Sequence, residues 1–344
     1  MNVPNDWVDV HAHFTPPTTP EERRARWQAM REECFTLPAP YHWSLEETLR
    51  AMDRDGIAMQ LLSNIPTDHA ALAASNDYGA WLVREHPSRF GLLAAVPTDD
   101  PDAALAEIER ARTQLGADGF AVTTVYNGVP LGDPALDAVW AELDRLGATV
   151  FIHPDAYAPG SMGRPSPLIE VAFDTARTIT DLVYRAHFRR FPHLTHVVAH
   201  CGGALPALSG RLGLLGGEAW VPNPEGLTPA DITGQLGRLY LDTAATATDH
   251  TLAAALLMTG PEHIVYGSDS GVPCSTDRTI RANLEALLAS QVLDRAQIDA
   301  VGRAAFRLFP SARARHDQSR ARHDQARAAT TRHDGPGGTA TCAR

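Results

Sequence analysis

The stretch that decides the fold is residues 7–13, with the sequence WVDVHAH, an apolar run that ends in a histidine-x-histidine pair. In a β-strand, residues i and i+2 point to the same face. His11 and His13 therefore direct two imidazoles toward one point, where a divalent metal ion commonly binds. A surface or capping histidine pair is the alternative. The ends of later strands favour the metal.

Short β-type runs alternate with longer helical patterns along the rest of the chain. The predicted strands are 7–13, 58–63, 90–96, 118–124, 148–153, 195–200, 238–243 and 263–269. The predicted helices are 44–55, 69–86, 101–115, 133–147, 168–190, 203–215, 249–259 and 276–290. Eight strand–helix repeats predict an α/β fold, a (β/α)8 TIM barrel with extended loops at its C-terminal face.

An open, doubly wound parallel sheet is the alternative architecture. No G-x-G-x-x-G motif follows an early strand, so a nucleotide cofactor has little support. The connections 14–43, 154–167 and 216–228 are longer than a barrel needs. Long loops at the carboxyl ends of barrel strands usually form the substrate pocket, and their proline and aromatic content predicts ordered lids.

Three further predicted strands end in metal-ligand residues. His153 follows the fifth apolar run, His200 follows the sixth and Asp269 follows the eighth. A single histidine at a strand end is most often structural. A barrel, however, delivers the ends of its strands into one pocket, so four such ends are expected to converge.

Composition excludes several classes of function. The chain has 344 residues, 44% hydrophobic and 21% charged, as expected of a globular protein with a large core. A net charge of -11 argues against nucleic acid or an anionic membrane as the main partner. No apolar stretch approaches a membrane span or a signal peptide. Four scattered cysteines without a CxxC motif favour a reducing cytoplasm.

All 30 basic residues are arginine, because the chain contains no lysine. Schiff-base chemistry on a lysine is therefore excluded. A carboxylated lysine that bridges two metal ions, which some binuclear hydrolases use, is excluded as well.

The C-terminal segment differs in composition from the rest. It repeats Arg-His-Asp-Gln from Arg315 and again from Arg322, and it approaches its end as Gly-Pro-Gly-Gly. We expect one barrel domain over residues 1–312 and a flexible polar tail over 313–344. A metal-binding tail is the less favoured interpretation.

The four strand-end motifs together resemble the amidohydrolase superfamily. The shared features are HxH on strand 1, His-Pro on strand 5, Ala-His-x-Gly-Gly on strand 6 and Gly-Ser-Asp on strand 8. The similarity extends over roughly residues 7–310 and is nearest to a decarboxylase-rich branch. That branch includes aminocarboxymuconate-semialdehyde decarboxylase and 6-methylsalicylate decarboxylase.

The resemblance implies one divalent metal ion and no organic cofactor. Zinc is expected, with manganese as the alternative, and the implied ligands are His11, His13, His153 and Asp269. His200 matches the catalytic histidine of the family, although it could instead be a ligand. Asp269 is expected to serve both as ligand and as proton carrier.

Two arginines are candidates for binding a substrate carboxylate. Arg211 matches a family position that often acts from the neighbouring subunit, and this implies a homodimer. Arg177 resembles an arginine of the salicylate-like members. Each could instead be an ordinary surface residue of a helix.

The strand-1 loop departs from the aminocarboxymuconate enzyme. No matching carboxylate-binding arginine is found in its segment 34–38, CFTLP. This favours an aromatic monocarboxylate over a dicarboxylate. Phe14 and Tyr157, with Tyr41 and Trp43, could form an aromatic wall of the pocket, although core or lid packing is the alternative for each.

The resulting hypothesis is a metal-dependent carboxy-lyase. It would decarboxylate, without oxidation, a small hydroxylated aromatic acid similar to salicylate, or a related unsaturated acid. The alternatives are a metal-dependent hydrolase of a lactone or amide, and a barrel without catalytic activity.

Overall fold

A computed structural model describes residues 6–333, with side chains through residue 321. Within these residues the strands β1 to β10 are Trp7–His13, Ile57–Ser63, Phe90–Ala95, Gly119–Thr123, Val125–Tyr126, Val129–Pro130, Thr149–His153, Thr195–Val198, Tyr240–Asp242 and Ile264–Val265. The helices α1 to α14 are Pro20–Glu32, Leu45–Asp55, His69–Glu85, Pro101–Arg110, Asp137–Arg145, Glu170–Tyr184, His187–Arg190, Leu205–Leu215, Pro229–Leu236, Asp249–Thr259, Asp277–Leu288, Arg295–Arg303, Ala305–Leu308 and Pro310–His333.

Eight of the strands form a parallel barrel. Their order is β1-β2-β3-β4-β7-β8-β9-β10, and β5 and β6 form a separate small hairpin. The segment around β10 closes the ring against β1. The amide of Val10 donates to the carbonyl of Tyr266 at 3.0 Å, and the amide of Asp269 donates to the carbonyl of His11 at 2.8 Å. The predicted (β/α)8 barrel is confirmed.

The inside of the barrel is a packed apolar core. Inward side chains from most strands form one cluster: Val8, Val10, Met59, Leu61, Leu93, Ala121, Phe151, Val197, Ala199 and Val265. Phe309 and Ala312 belong to the same cluster. The hydroxyl of Thr149, at the first residue of β7, donates to the carbonyl of Leu308 at 2.9 Å. The amino-terminal end of the barrel is therefore plugged, and only the carboxyl end is available for chemistry.

The helices α1, α9, α12 and α13 lie in segments where no helix was predicted. The first of them matters for the site. The long connection 14–43 contains α1, which begins with a capping box between Thr19 and Glu22 and has Pro20 in its first turn. None of its residues is buried. Because α1 consists mostly of charged residues and buries none of its side chains, its apolar pattern was too weak to predict a helix. The capping box was the available signal.

The last helix crosses the predicted domain boundary at 312/313. The Arg315 guanidinium makes a bidentate ion pair with Asp118, at 2.9 and 2.7 Å, and Ser311 donates to the same carboxylate. The first turns of α14 are thus attached to the barrel next to β4. The flexible tail over 313–344 stays a prediction, and residues 334–344 lie outside the described residues.

Among the helices of the described residues, none combines the length and the apolar character that crossing a bilayer requires.

Candidate metal centre

Five predicted site residues meet at the carboxyl end of the barrel: His11, His13, His153, His200 and Asp269. The Nε2 atom of His11 lies 3.1 Å from Nε2 of His13 and 3.3 Å from Oδ1 of Asp269. His13 Nε2 lies 3.4 Å from the same Asp269 oxygen. Potential ligand atoms of His11, His153, His200 and Asp269 all lie within 4.8 Å of one another. The structure therefore brings the predicted cluster together.

Two of these residues lie beyond the ends of their strands, in left-handed backbone. His200 follows β8 with φ 53°, and Asp269 follows β10 with φ 59°. Non-glycine residues rarely adopt this conformation, and those that do are concentrated at functional sites.

Close packing at Gly267 explains why the Gly-Ser-Asp motif begins with glycine. A Cβ atom there would lie 2.9 Å from Cβ of His11 and 3.0 Å from Cβ of Asp242.

Hydrogen bonds fix the orientation of three imidazoles. In each, Nδ1 faces an oxygen acceptor: Asp242 Oδ2 for His11 at 2.6 Å, the Ser63 carbonyl for His13 at 3.1 Å, and the Pro154 carbonyl for His153 at 2.7 Å. The proton of each neutral ring must then be on Nδ1. Its Nε2 atom keeps a free lone pair, as expected of a histidine ligand oriented by an outer partner.

These lone pairs face one another and a carboxylate, an arrangement that a cation would stabilise. The three pairwise distances between Nε2 of His11, Nε2 of His13 and Oδ1 of Asp269 are 3.1 to 3.4 Å. Ligands about 2 Å from a tetrahedral zinc ion are about 3.3 Å apart. Imidazole nitrogen and carboxylate oxygen are also suitable donors for zinc or manganese. The residues present therefore fit a divalent metal ion.

The pKa values of His11 and Asp269 also indicate that the site favours a positive charge. Burial alone would lower the pKa of His11, but the charge and hydrogen bond of Asp242, together with Asp269, raise it to about 10. Burial would raise the pKa of Asp269, but the imidazoles of His11, His13 and His200 beside its carboxylate hold it well below its usual range. The two buried carboxylates thus stabilise positive charge at the position of the His11 ring.

His200 differs from the other three histidines. Its Nδ1 atom is buried, and among the described residues it has no hydrogen-bond partner. Its Nε2 atom lies 3.8 Å from Oδ2 of Asp269, the oxygen that does not contact His11. No hydrogen bond at Nδ1 therefore fixes the tautomer of His200, unlike that of the other three histidines.

Asp242 is a site residue that the sequence analysis missed. It ends β9 and is fully buried. One carboxylate oxygen accepts from His11, and the other accepts from the amide of Ala244 at 2.9 Å. The available signal was its position, since Asp242 is the second-last residue of the predicted strand 238–243.

Two further residues support the centre. Asp9 accepts from the amide of His11 at 3.0 Å and from the Ser268 hydroxyl at 2.5 Å, and burial raises its pKa to about 6. Ser275 donates to Oδ2 of Asp269 at 2.7 Å. Asp9 thus links β1 to the strand-8 motif, while Ser275 orients the outer oxygen of the predicted ligand.

A cavity of about 1290 Å³ opens from the metal centre. His13, His153, His200 and Asp269 line it at the centre. Phe14 and Tyr157, both predicted as substrate contacts, line it as well. Phe14 is buried, whereas Tyr157 is largely exposed.

The two predicted carboxylate-binding arginines lie elsewhere in the single chain. Arg177 on α6 and Arg211 on α8 are exposed and do not line the cavity, and Arg177 stacks over the Phe173 ring at 5.7 Å. Two arginines that the sequence analysis did not consider, Arg23 and Arg26 on α1, line it instead.

Comparison with known proteins places the chain in a family. A family model described as amidohydrolase matches residues 8–310. The chain belongs to the amidohydrolase family. Its curated relatives include "Decarboxylase yanB" of Aspergillus niger, 31% identical over 89% of this chain and 88% of that protein. They also include 6-methylsalicylic acid decarboxylase of Penicillium expansum, 30% identical over 88% of this chain and 96% of that protein.

Solved structures of the family share the fold of this amidohydrolase. A 2,6-dihydroxybenzoate decarboxylase in complex with 2,6-dihydroxybenzoate superposes with a TM-score of 0.72 at 24% identity, covering 90% of this chain and 100% of that chain. A dihydroxybenzoic acid decarboxylase from Polaromonas with bound manganese gives a TM-score of 0.71 at 23% identity, covering 90% and 97%.

Proposed function

We propose that the chain is a metal-dependent, non-oxidative decarboxylase of a small hydroxylated aromatic acid. The observation that carries the proposal is the cluster of oriented imidazoles and Asp269 in a chain whose relatives of 30 and 31% identity are named decarboxylases. One of those relatives is named for 6-methylsalicylic acid, an aromatic acid with an adjacent hydroxyl group. We therefore propose that the substrate is similar to salicylate.

The proposed ligands are His11, His13, His153 and Asp269. This assignment rests on the three Nδ1 hydrogen bonds, which leave Nε2 free for coordination. When bound, a divalent ion supplies Lewis-acid stabilisation of negative charge on substrate oxygens. We propose zinc, with manganese as the competing ion, because the donor set suits both.

The proposed proton carriers are His200 and Asp269. Oδ2 of Asp269 is directed by Ser275 and faces His200 Nε2 at 3.8 Å. A proton held by His200 or Asp269 is delivered to the ring carbon of the substrate that bears the carboxylate. The bond from that carbon to the carboxylate then breaks, its electron pair restores the aromatic ring, and CO2 leaves.

Carboxylate recognition is proposed to involve a second subunit. Arg211 and Arg177 lie outside the cavity of their own chain, so they would act on substrate across a homodimer interface. Helices α6 and α8 pack on each other and carry exposed apolar residues such as Phe173 and Leu214. An exposed apolar surface of this kind is typical of a subunit interface. Measuring mass in solution tests the dimer.

The proposed aromatic wall comprises Phe14 and Tyr157. Phe14 lies next to the ligand His13, and both aromatic residues line the cavity. A flat ring bound at the metal centre would pack against them. Truncating Tyr157, the exposed member, should raise KM more than it changes kcat.

A cytoplasmic location is also proposed, from cysteine usage. The described cysteines, Cys34, Cys201 and Cys274, are free thiols. Fractionation of producing cells, with cytoplasmic and extracytoplasmic markers, tests this location.

The function is tested by metal analysis followed by a substrate screen. Purified protein is assayed for zinc and manganese and then given a panel of salicylates and a panel of lactones. The expected result is CO2 release from a salicylate, lost on chelation and restored by metal. Ring-opened acid from a lactone, without CO2 from any salicylate, would establish a hydrolase instead.

A further inference from the structure

The cavity is larger than a hydroxybenzoate needs. Its volume of about 1290 Å³ exceeds the roughly 300–1,000 Å³ typical of pockets for drug-sized ligands. A salicylate is smaller than such ligands. The space beyond the metal centre is continuous with it, so a single ligand could occupy both parts.

One face of α1 lines the cavity, together with the residue that follows the helix. Arg23, Arg26, Trp27 and Met30 of α1 line it, as does Glu33 just after the helix. Their spacing of three and four residues places them on one face of a helix. Residues of the opposite face, such as Gln28, are exposed and do not line it.

The apolar side chains of this face are incompletely covered. Trp27 and Met30 are half-buried, as is Phe35 just beyond the helix, and α1 has no buried residue. The indole N–H of Trp27 donates to the carbonyl of Leu37 at 2.9 Å, which fixes the ring beside the cavity. Covering these side chains with an apolar ligand would remove apolar surface from water.

Apolar residues of a second segment form another part of the cavity wall. Pro165, Pro167 and Val171, from the segment before α6 and its first turn, line the same cavity. A metal-bound ring with a flexible apolar chain could therefore place the chain between this wall and α1.

We propose that the substrate is a hydroxyaryl carboxylic acid with an alkyl chain of several carbons, and that the α1 face binds this chain. The inference rests on the proposed decarboxylase function, since the acid end must bind at the metal centre. It adds a second binding region, formed by Trp27, Met30 and Phe35, which selects the substituent on the ring.

The test uses the full-length metal-loaded protein and a series of 6-alkylsalicylates, with methyl, propyl and pentyl chains. Each buried methylene should raise kcat/KM about three- to fourfold. The corresponding 3-alkylphenols, which are the expected products, should bind with the same trend in a calorimetric titration. This second measurement does not depend on turnover.

Three variants locate the effect. Met30→Ala should reduce kcat/KM for the pentyl substrate about five- to tenfold, while the methyl substrate changes less than twofold. Met30→Leu, which keeps an apolar side chain, should retain most of the gain. Gln28→Ala is the matched control on the outer face and should leave the whole series unchanged.

The outcomes separate the inference from the proposed function. Turnover of the methyl substrate with no gain for longer chains would overturn the inference and leave the decarboxylase intact. An equal gain in wild type and Met30→Ala would remove α1 from the binding region and also overturn it. Failure of every member to release CO2, with no binding of any phenol, would instead contradict the proposed function.

Discussion

Two buried pairs of histidines in this barrel have nearly the same geometry and opposite surroundings. His11 and His13 place their Nε2 atoms 3.1 Å apart at the carboxyl end. His187 and His196 place theirs 3.0 Å apart in the helical layer beside β8. Distance between imidazoles alone therefore does not identify a metal site.

The difference lies in what surrounds each pair. The first pair contacts two buried carboxylates, Asp242 and Asp269. The second packs against aromatic rings, of Trp140, Phe188 and Phe191. In the described part of the chain, neither His187 nor His196 has an ion-paired carboxylate.

The pKa values follow this difference. The carboxylates raise the pKa of His11 to about 10 against the effect of burial, whereas burial lowers the pKa of His187 to about 3. One pair therefore stabilises a cation, and the other is stable only when neutral. Each prediction below tests one side of this contrast.

The largest effect is expected from removing a ligand. His11→Ala should lose both bound metal and decarboxylase activity, the latter roughly 10³-fold or more, because the remaining donors no longer surround an ion. Metal content by elemental analysis and CO2 release measure the two losses. His187→Gln is the matched control and should keep one metal ion per chain and normal turnover. Stoichiometric metal in His11→Ala would contradict the ligand assignment.

A smaller loss, of activity alone, is expected at His200. His200→Ala should keep its metal and lose turnover by about 10²- to 10³-fold, because a positioned proton carrier contributes that order of acceleration. The measurement is kcat beside metal content. Loss of metal in this variant would instead make His200 a ligand and extend the cation-binding cluster beyond the three oriented imidazoles.

The carboxylate that distinguishes the two pairs can be removed directly. Asp242→Asn keeps the shape of the side chain but removes the charge next to His11. Metal affinity should fall about 10- to 100-fold, the usual effect of losing an outer partner of a histidine ligand. Competition with a chelator measures the affinity. Asp231→Asn, at an exposed helix start, is the control, and unchanged affinity in Asp242→Asn would contradict the role of charge.

The sequence was sufficient to predict which residues cluster at the barrel end, because strand ends carry their chemistry in residue type, whereas the choice of ligands among them came from the family resemblance and stays a prediction. His11, His13, His153 and Asp269 could be placed at one end of a barrel from the alternation of strands and helices alone. The predicted strand 195–200 ended two residues too late, because His200 has left-handed backbone, which few non-glycine residues adopt and which no residue in this segment signalled.

Features that depend on distant contacts could not be predicted in the same way. Asp242 has the residue type of any surface aspartate, and only its packing beneath His11 makes it part of the centre. Likewise His196 and His200 occur on one segment, yet one faces aromatic rings and the other faces Asp269. The cavity face of α1 could not be predicted without the fold, because it lines the cavity and does not pack into the protein core.

The smallest predicted effect is on the free energy of unfolding, and it comes from the second histidine pair, His187 and His196. Burial lowers the pKa of both His187 and His196 below the usual value near 6.5. Between about pH 6.5 and 3 the unfolded chain therefore binds more protons than the folded one. The free energy of unfolding must then rise with pH, and this stability is lost as pH falls below 6.5.

Lowering the pH from 7 to 5.5 should reduce the contribution of the pair to the free energy of unfolding by about 2–3 kcal/mol. In the double variant His187→Gln, His196→Gln this contribution is absent, so its stability should fall less than that of the wild type over the same range. Urea unfolding of both proteins at the two pH values measures the difference, and the metal centre contributes equally to both. Equal pH dependence in wild type and variant would mean that the aromatic surroundings do not keep this pair neutral, and the contrast with the metal centre would then rest on the carboxylates alone.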